Sequence, residues 1–450
     1  MSRSTDAGHF FQTEDSLATT ARKASKADNT HGRPIKLRSK ILALHPDPTS
    51  PTHVYVAESA GIAQRVALET GTQTHTYRGP AAPLTDLALS PTSTHLAASC
   101  WDKAIWIWDA ASTKLHKKLR NGHTDFVKAV LWTQLAPPED TTNDSASRPP
   151  IDILISAGAD ARIVIWDVSA GTRLHTLTAP PPTLSIHALA LDPSASTPDA
   201  LLLLSAGSDP HIRRWRISLS RAVEVEAHDG PAAIVEHDTG VYALAFAGDD
   251  DDELWTASAD KTARCLARHA AWATDTRLEH PDYVRDVVVS GQWVFTACRD
   301  EEVRVWDRGT ATLHTTFTGH HEEVTCLALA LSSPSSLTKS SPKSSPTKHP
   351  VLVSGSIDGT LRQWPISTEA LSGDGVGVDA RDVVGAGVIE GKQDAIPAER
   401  GSVTKTGTHA DGAVGVEAVG THGEDKGKGQ EVMTAEEERE LEELMGLDDD

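Results

Sequence analysis

Residues Ile155 to Asp167 read ISAGADARIVIWD. With Ile153 and Leu154 before them, they form two short runs of strand-forming residues around a tight turn at Gly158 to Ala161 and end on Trp-Asp, which predicts a β-hairpin. The stretch decides the fold because it recurs. Its turn aspartate and tryptophan, Asp160 and Trp166, stand six positions apart, and the same step separates Asp102 from Trp108, Asp209 from Trp215, Asp300 from Trp306 and Asp358 from Trp364. Asp260 opens a sixth copy with Leu266 in the tryptophan position. HVYVAESAGIAQRVAL, His53 to Leu68, reads as a worn seventh, with Ala60 and Val66 in the two places.

Two further landmarks keep step with these pairs. A serine or threonine lies four positions before the aspartate at Ser156, Ser205, Thr256, Thr296 and Ser354. Upstream, His123, His237, His280 and His320 are each followed four positions later by a valine (Val127, Val241, Val284, Val324) that opens an apolar strand, and Gly122-His123 and Gly319-His320 are full Gly-His pairs. This succession resembles the WD-repeat family, whose signature is Gly-His followed by Trp-Asp at a period of about 40–45 residues. The resemblance runs from Lys36 to Ile366 and implies a propeller of four-stranded blades.

The spacing also has a physical reason that stands without the family. In a four-stranded antiparallel blade, a buried histidine, a turn aspartate, a strand hydroxyl and an indole N–H can satisfy one another, as buried polar groups must. The His, Asp, Ser, Thr and Trp residues of the repeats are therefore expected to be structural, not catalytic or metal-binding.

Seven segments share the strand pattern that follows the histidine: LRSKILAL, PLTDLAL, FVKAVLW, SIHALAL, GVYALAF, YVRDVVV and EVTCLAL. They predict an all-β, seven-bladed propeller over residues 34–366, preceded by a disordered arm at 1–33 that lacks sustained periodicity. Ile35 to Arg38 is expected to supply the outer strand of the last blade and so close the ring. Polar or Pro/Ser-rich insertions at 136–150, 193–200, 248–252 and 331–350 all fall between the first and second strands of a blade. They should emerge on one face and leave the face of the turn aspartates compact. The leucine at position 266 predicts a weaker fifth blade.

The chain carries a net charge of −21, and residues 367–450, with 21 acidic and 7 basic side chains, hold −14 of it. That balance speaks against nucleic-acid binding by the isolated chain. Cys100, Cys265, Cys298 and Cys326 fall in predicted strands without Cys-x-x-Cys spacing, so neither a zinc site nor a disulfide framework is expected and a reducing compartment fits. The N-terminus lacks a signal-peptide core, and no window approaches the roughly 18 consecutive apolar residues of a membrane span. An intracellular protein, in cytoplasm and/or nucleus, is expected.

In the insertion at 331–350, Ser333, Ser341 and Ser345 each precede proline and are candidate phosphorylation sites, where phosphate would reverse a basic local charge. Residues 367–432 read as a disordered linker. In 433–450, Thr434 and Glu437 form a capping box ahead of Leu441, Leu444 and Met445 on one helical face, a short acidic helix that is either solvated or a docking peptide for a basic partner.

Phosphate loops, metal helices, nucleophile elbows and kinase signatures are all missing, and the acidic run at Asp249 to Glu253 lacks the pattern of a calcium loop, so no enzyme and no cofactor is expected. The positions one before and one after the strand landmark point toward the mouth of the central channel. Read round the ring, they and the residues before two turn aspartates single out Arg38, Lys40, Trp101, Phe126, Lys128, His187, Tyr242, Tyr283, Arg285 and Arg299. Such a basic and aromatic set is either a hydrated channel lining or a recognition surface for an acidic or phosphorylated peptide.

What the resemblance implies is a non-catalytic scaffold or adaptor, monomeric by itself, with protein partners in a multi-subunit complex. A non-catalytic subunit of an RNA-modifying or other nucleic-acid-associated enzyme complex is an alternative, with Arg38, Lys40, Lys128 and Arg285 touching phosphates. A substrate receptor of a ubiquitin ligase is a second, though Ala110/Ala111, Val168/Ser169 and Arg308/Gly309 stand where that class would carry arginine two positions after Trp-Asp, and only Arg308, immediately after Trp306-Asp307, is one. Replacing Lys128 and Arg285 with glutamate is expected to spare folding.

Overall fold

In the computed structural model the described residues are 14–27, 29–137, 149–225, 233–248, 250–332, 349–367 and 371. The chain divides into two units, Met1–Ala386 and Gly387–Asp450; the second lies wholly outside the described residues, as do Ser333, Ser341, Ser345 and the acidic C-terminal segment.

Among the described residues seven antiparallel sheets follow one another along the chain. Their inner strands are Ile41–Pro46, Leu84–Leu89, Val127–Leu135, Ile186–Leu191, Val241–Ala247, Val284–Ser290 and Val324–Ser332, which define blades 1 to 7. Each inner strand lies beside those of the preceding and following blades, and blade 7 lies beside blade 1, so the fold is a closed seven-bladed β-propeller.

The apolar core is distributed round this ring as seven clusters, each between two neighbouring blades. The alternation of side chains along a strand explains the division. In RIVIW, Ile163 and Ile165 pack toward blade 4, whereas Val164 and Trp166 pack toward blade 2. A strand with both faces buried reads as a continuous apolar run, which is why the Trp-Asp strands look so hydrophobic.

The glycine of the Gly-His pair has a steric reason: a Cβ on Gly122 would run into the indole of Trp166. The four cysteines lie in strands, free and buried. The strand ends that flank 136–150, 193–200, 248–252 and 331–350 are in each case those of a first and a second strand, and these ends lie on one face. One insertion is not in that set: in blade 4, Ala222–Glu224 and Ala233–Val235 both pair with His211–Ile217, so the outer strand is interrupted.

The ring is closed as expected, by a shorter strand. Ile35–Lys36 pairs with Thr360–Pro365 in the register Ile35↔Leu361 and Lys36↔Thr360. Bonds from Leu37 N to Gly359 O at 2.8 Å and from Gln363 N to Gly32 O at 2.6 Å extend the seam. Arg38 lies beyond the strand. Within the N-terminal arm, residues Glu14–Ala27 form a helix, and Arg22, Lys23 and Lys26 pair with Glu301, Glu302 and Glu322 on blades 6 and 7. No periodicity in the sequence reveals these charge contacts of the helix Glu14–Ala27.

Every inner strand carries the same irregularity: the register against the second strand shifts one residue after the landmark. The extra residue of this β-bulge is Leu42, Thr85, Lys128, His187, Tyr242, Arg285 or Thr325 in blades 1 to 7. Bulges re-aim a side chain while leaving the rest of the strand paired.

Candidate functional site on the compact face

The repeat residues are consumed internally. In blade 3, Trp166 Nε1 donates to Ser156 Oγ at 2.9 Å, Ser156 meets His123 Nε2 at 2.8 Å, and His123 Nδ1 meets Asp160 at 3.0 Å. Blade 7 repeats this relay through Trp364, Ser354, His320 and Asp358 at 2.9, 2.7 and 2.9 Å. Blade 5 keeps His237, Asp260 and Thr256 and lacks the tryptophan, but Trp255 and Trp272 are buried there instead. Burial works to raise the Asp358 carboxyl; the bond and charge of His320 and the bonds from Thr360 outweigh it and hold the group well below the carboxylate range.

Three blades are wired differently from the expected four-residue network. In blade 6, His280 bonds Thr296 at 2.8 Å and Leu278 O at 3.2 Å, while Asp300 is held by two bonds from Arg304, at 3.1 and 2.6 Å. In blade 4, which has no histidine at the landmark spacing, Thr183 donates to Asp209 at 2.9 Å, and Trp215 still bonds Ser205 at 2.8 Å. In blade 2, Asp102 accepts from Trp106 Nε1 at 3.0 Å and Lys118 at 2.6 Å, and Trp108 donates to Arg78 O at 3.0 Å. The wiring changes wherever histidine or hydroxyl is missing or an arginine competes.

The start of each inner strand pairs with the end of the second strand, so the bulge residues and the second-to-third-strand turns share the compact face. There the expected set meets in two groups. Trp101 stacks on Phe126 at 4.6 Å and 11°. His187 meets the edge of Tyr242 at 5.4 Å, the Arg285 guanidinium lies over Tyr242 at 4.5 Å, and Arg285 Nε pairs with Glu323 at 2.6 Å. That arc runs through blades 4, 5, 6 and 7, and Arg299 lies over Tyr283 at 5.5 Å beside it.

Two positions differ from the sequence reading. In blade 1 the landmark is Ile41, opposite Glu58, so its flanks are Lys40 and Leu42 and the sequence register was two residues off. Arg38 is exposed and lies near Glu58, whose carboxyl accepts from Ser39 N and Oγ at 3.1 and 3.0 Å. Glutamate at 128 and 285 is not the surface exchange the sequence reading assumes, because Lys128 is 8% exposed and Arg285 pairs with a nearly buried Glu323.

Sequence reasoning missed Asp86 and Asp286. They stand two residues after the landmark, where the other blades carry Ala43, Ala129, Ala188, Ala243 and Cys326. Asp86 accepts from Leu87 N and from Val130 N of blade 3, each at 2.8 Å; Asp286 accepts from Val287 N at 2.8 Å and from Leu327 N of blade 7 at 2.7 Å. Enclosure by the ring pushes both carboxyls up to about 7, with the charge of Asp86 adding to the rise at Asp286. Thr85 and Thr325 stitch blades in the same way, to Val127 O at 2.7 Å and Ile41 O at 2.8 Å. Two acids among five small residues were visible in the aligned segments.

Among the described residues no cluster of three or more His, Cys, Asp or Glu could hold a metal ion, and no helix is long and apolar enough to cross a membrane.

A closed ring of seven four-stranded units with buried His-Asp-Ser-Trp relays defines a repeat propeller. Residues 71–109, 274–307 and 311–365 match the WD domain, G-beta repeat. An uncharacterised WD repeat-containing protein of Schizosaccharomyces pombe is 30% identical over 375 residues, 80% of this chain and 89% of that protein. Small ribosomal subunit protein RACK1y of Oryza sativa subsp. japonica is 27% identical over 105 residues, 23% of this chain and 26% of its own length. Protein HIR1 of Yarrowia lipolytica is 26% identical over 98 residues, covering 21% and 9%. The chain belongs to the WD-repeat family. Proteins of this family generally act as interaction scaffolds and are typically non-catalytic.

Proposed function

We propose that this protein is a non-catalytic scaffold that holds an acidic or phosphorylated peptide on its compact face. The observation that carries the reading is the identity of the seven bulge residues. Four of them, Lys128, His187, Tyr242 and Arg285, are cationic or aromatic, and three of those join in one arc that ends on Glu323. Aromatic and arginine side chains are enriched at binding hot spots. An incoming carboxylate or phosphate would take over Arg285 from Glu323 and reach Arg299, through charge-assisted bonds.

The test is an array of acidic, phosphorylated and neutral peptides screened with the full chain and with its Tyr242→Ala and Arg299→Glu variants. Wild type should retain acidic or phosphorylated peptides. Each variant should weaken them by about 30-fold, the equivalent of about 2 kcal/mol for a hot-spot residue. Peptide binding that ignores charge, or is equal for all three proteins, refutes the reading.

A further inference from the structure

The compact face has a second charged surface of opposite sign, on the rim between blades 6 and 7. The turn after Trp293–Cys298 carries Glu301 and leads into Glu302, and the loop before Val324–Ser332 carries Glu322. The helix Glu14–Ala27 is seated on these three carboxylates. Arg22 and Lys26, one helical turn apart, grip the two oxygens of Glu301 at 2.7 Å each. Lys26 also reaches Glu302 at 3.3 Å, and Lys23 reaches Glu322 at 2.7 Å.

The two sides of the contact are unlike. Glu301 and Glu302 are enclosed, with side chains 5% and 16% exposed, and the second carboxylate oxygen of Glu302 has no hydrogen-bond partner among the described residues. None of the helix residues from Thr20 to Ala27 is buried. Among the described side chains the seat is made of ion pairs, with a polar anchor where Asn29 Nδ2 bonds Gly319 O at 2.7 Å. A helix of 14 residues is near the limit of about 12–15 below which isolated helices are marginal, and partly exposed ion pairs hold weakly. An acidic notch is therefore covered by a segment that partly exposed ion pairs hold.

We propose that the Glu301, Glu302 and Glu322 notch is a docking site for a basic helical segment of a partner protein, and that the helix Glu14–Ala27 is its resident, exchangeable occupant. The recognition rule is two cations at i and i+4 astride one carboxylate, with a third at i+1. Resident and partner helices exclude each other. The notch borders the basic and aromatic mouth, since Arg299 precedes Glu301 by two residues and Glu323 follows Glu322, yet it selects the opposite charge. It does not depend on what that mouth binds.

The experiment uses the full-length chain and a fluorescent synthetic peptide of residues 12–28. In the R22E/K23E/K26E variant the resident helix is repelled and the notch is open, so the peptide should bind, more weakly as salt shortens the Debye length from about 10 Å at 0.1 M to about 3 Å at 1 M. Wild type should bind it about tenfold more weakly, since a tethered helix at an effective concentration on the order of 1 mM competes with a peptide whose Kd is about 100 μM. Adding E301Q/E302Q/E322Q to the open variant should abolish binding, with folding followed by thermal melting. Should that combination not fold, E322Q alone, at a side chain 31% exposed, should still weaken the peptide several-fold. Equal affinity for wild type and open variant, binding that survives the glutamine substitutions, or no binding to a folded open variant overturns the proposal.

Discussion

Replacing Asp358 with alanine should destabilise the propeller far more than replacing Asp102, although both aspartates stand six residues before a repeat tryptophan. The Asp358 side chain is 0% exposed and accepts from His320 Nδ1 at 2.9 Å and from Thr360 N and Oγ1 at 2.7 and 2.6 Å. His320 is 1% exposed and Thr360 3% exposed, so neither ring nor backbone N–H can turn to water when the carboxylate is removed. Two stranded donors at about 1–3 kcal/mol each, less the relief of an enclosed charge, give an expected loss of about 2–4 kcal/mol. Asp102 is 24% exposed, and Lys118, its closest partner at 2.6 Å, keeps access to solvent. Its loss should be about 1 kcal/mol.

Urea unfolding of the two variants beside wild type reads both numbers. The pH dependence adds a sign. The Asp358 carboxyl is held below its ordinary value of 3.8, so its contribution is complete above that value and is lost as pH falls through the depressed one. The gap between wild type and Asp358→Ala should therefore narrow in strong acid. If Asp102→Ala were as damaging as Asp358→Ala at neutral pH, the assignment of stability to the closed relay would be wrong.

Further expectations concern blade 6, the N-terminus and blade 5. Burial, with Arg304 nearby, lowers His280 from 6.5 to about 4, so its contribution is full above 6.5 and fades as pH falls toward 4; His280→Gln should flatten the urea midpoint in that window, removing a slope worth at most about 3 kcal/mol. Deleting residues 1–28 removes the ion-paired helix and should lower stability by about 1–2 kcal/mol, whereas deletion through Lys40 also removes the closing strand; equal melting temperatures would place closure elsewhere. Trp272→Ala should lose about 3–5 kcal/mol, because this buried indole packs in the same inter-blade cluster as Leu266, where the repeat tryptophan is missing; protection of blade 5 in hydrogen exchange should match that of blade 6.

The ring was legible because its determinants are local and repeated. A turn aspartate, a strand hydroxyl and a tryptophan recur at fixed spacing, and each strand buried on both faces announces itself as an apolar run. What stayed hidden depends on contacts between distant segments. Arg22 and Glu301 are 279 residues apart, and neither carries a periodic signal. The worn first repeat hid its register, so Arg38 was placed at the channel mouth and Leu42 was not. The rewiring of Asp300 toward Arg304 and of Asp102 toward Lys118 follows from which neighbour competes best for a carboxylate, a comparison the motif does not contain.

The bulge is where this molecule separates the part of each blade that must be constant from the part that is free to vary. Residues on its two sides carry the core and the pairing, and they are small or apolar in every blade except at Asp86 and Asp286, whose carboxyls bond across to the next blade. The extra residue owes nothing to the ladder, and the seven positions accordingly hold Leu, Thr, Lys, His, Tyr, Arg and Thr. Two of these, Thr85 and Thr325, are used to stitch blades, as Asp86 and Asp286 are one step further on. The cationic and aromatic remainder falls on consecutive blades 3 to 6, on the side of the ring that ends at Glu323 and adjoins the acidic notch. A recognition surface built from bulge residues can change its ligand without touching the relay or the inter-blade cores. For the same reason the His, Asp, Ser and Trp that identify the family say nothing about the partner, and the choice of partner rests on the side chains the repeat leaves free to vary.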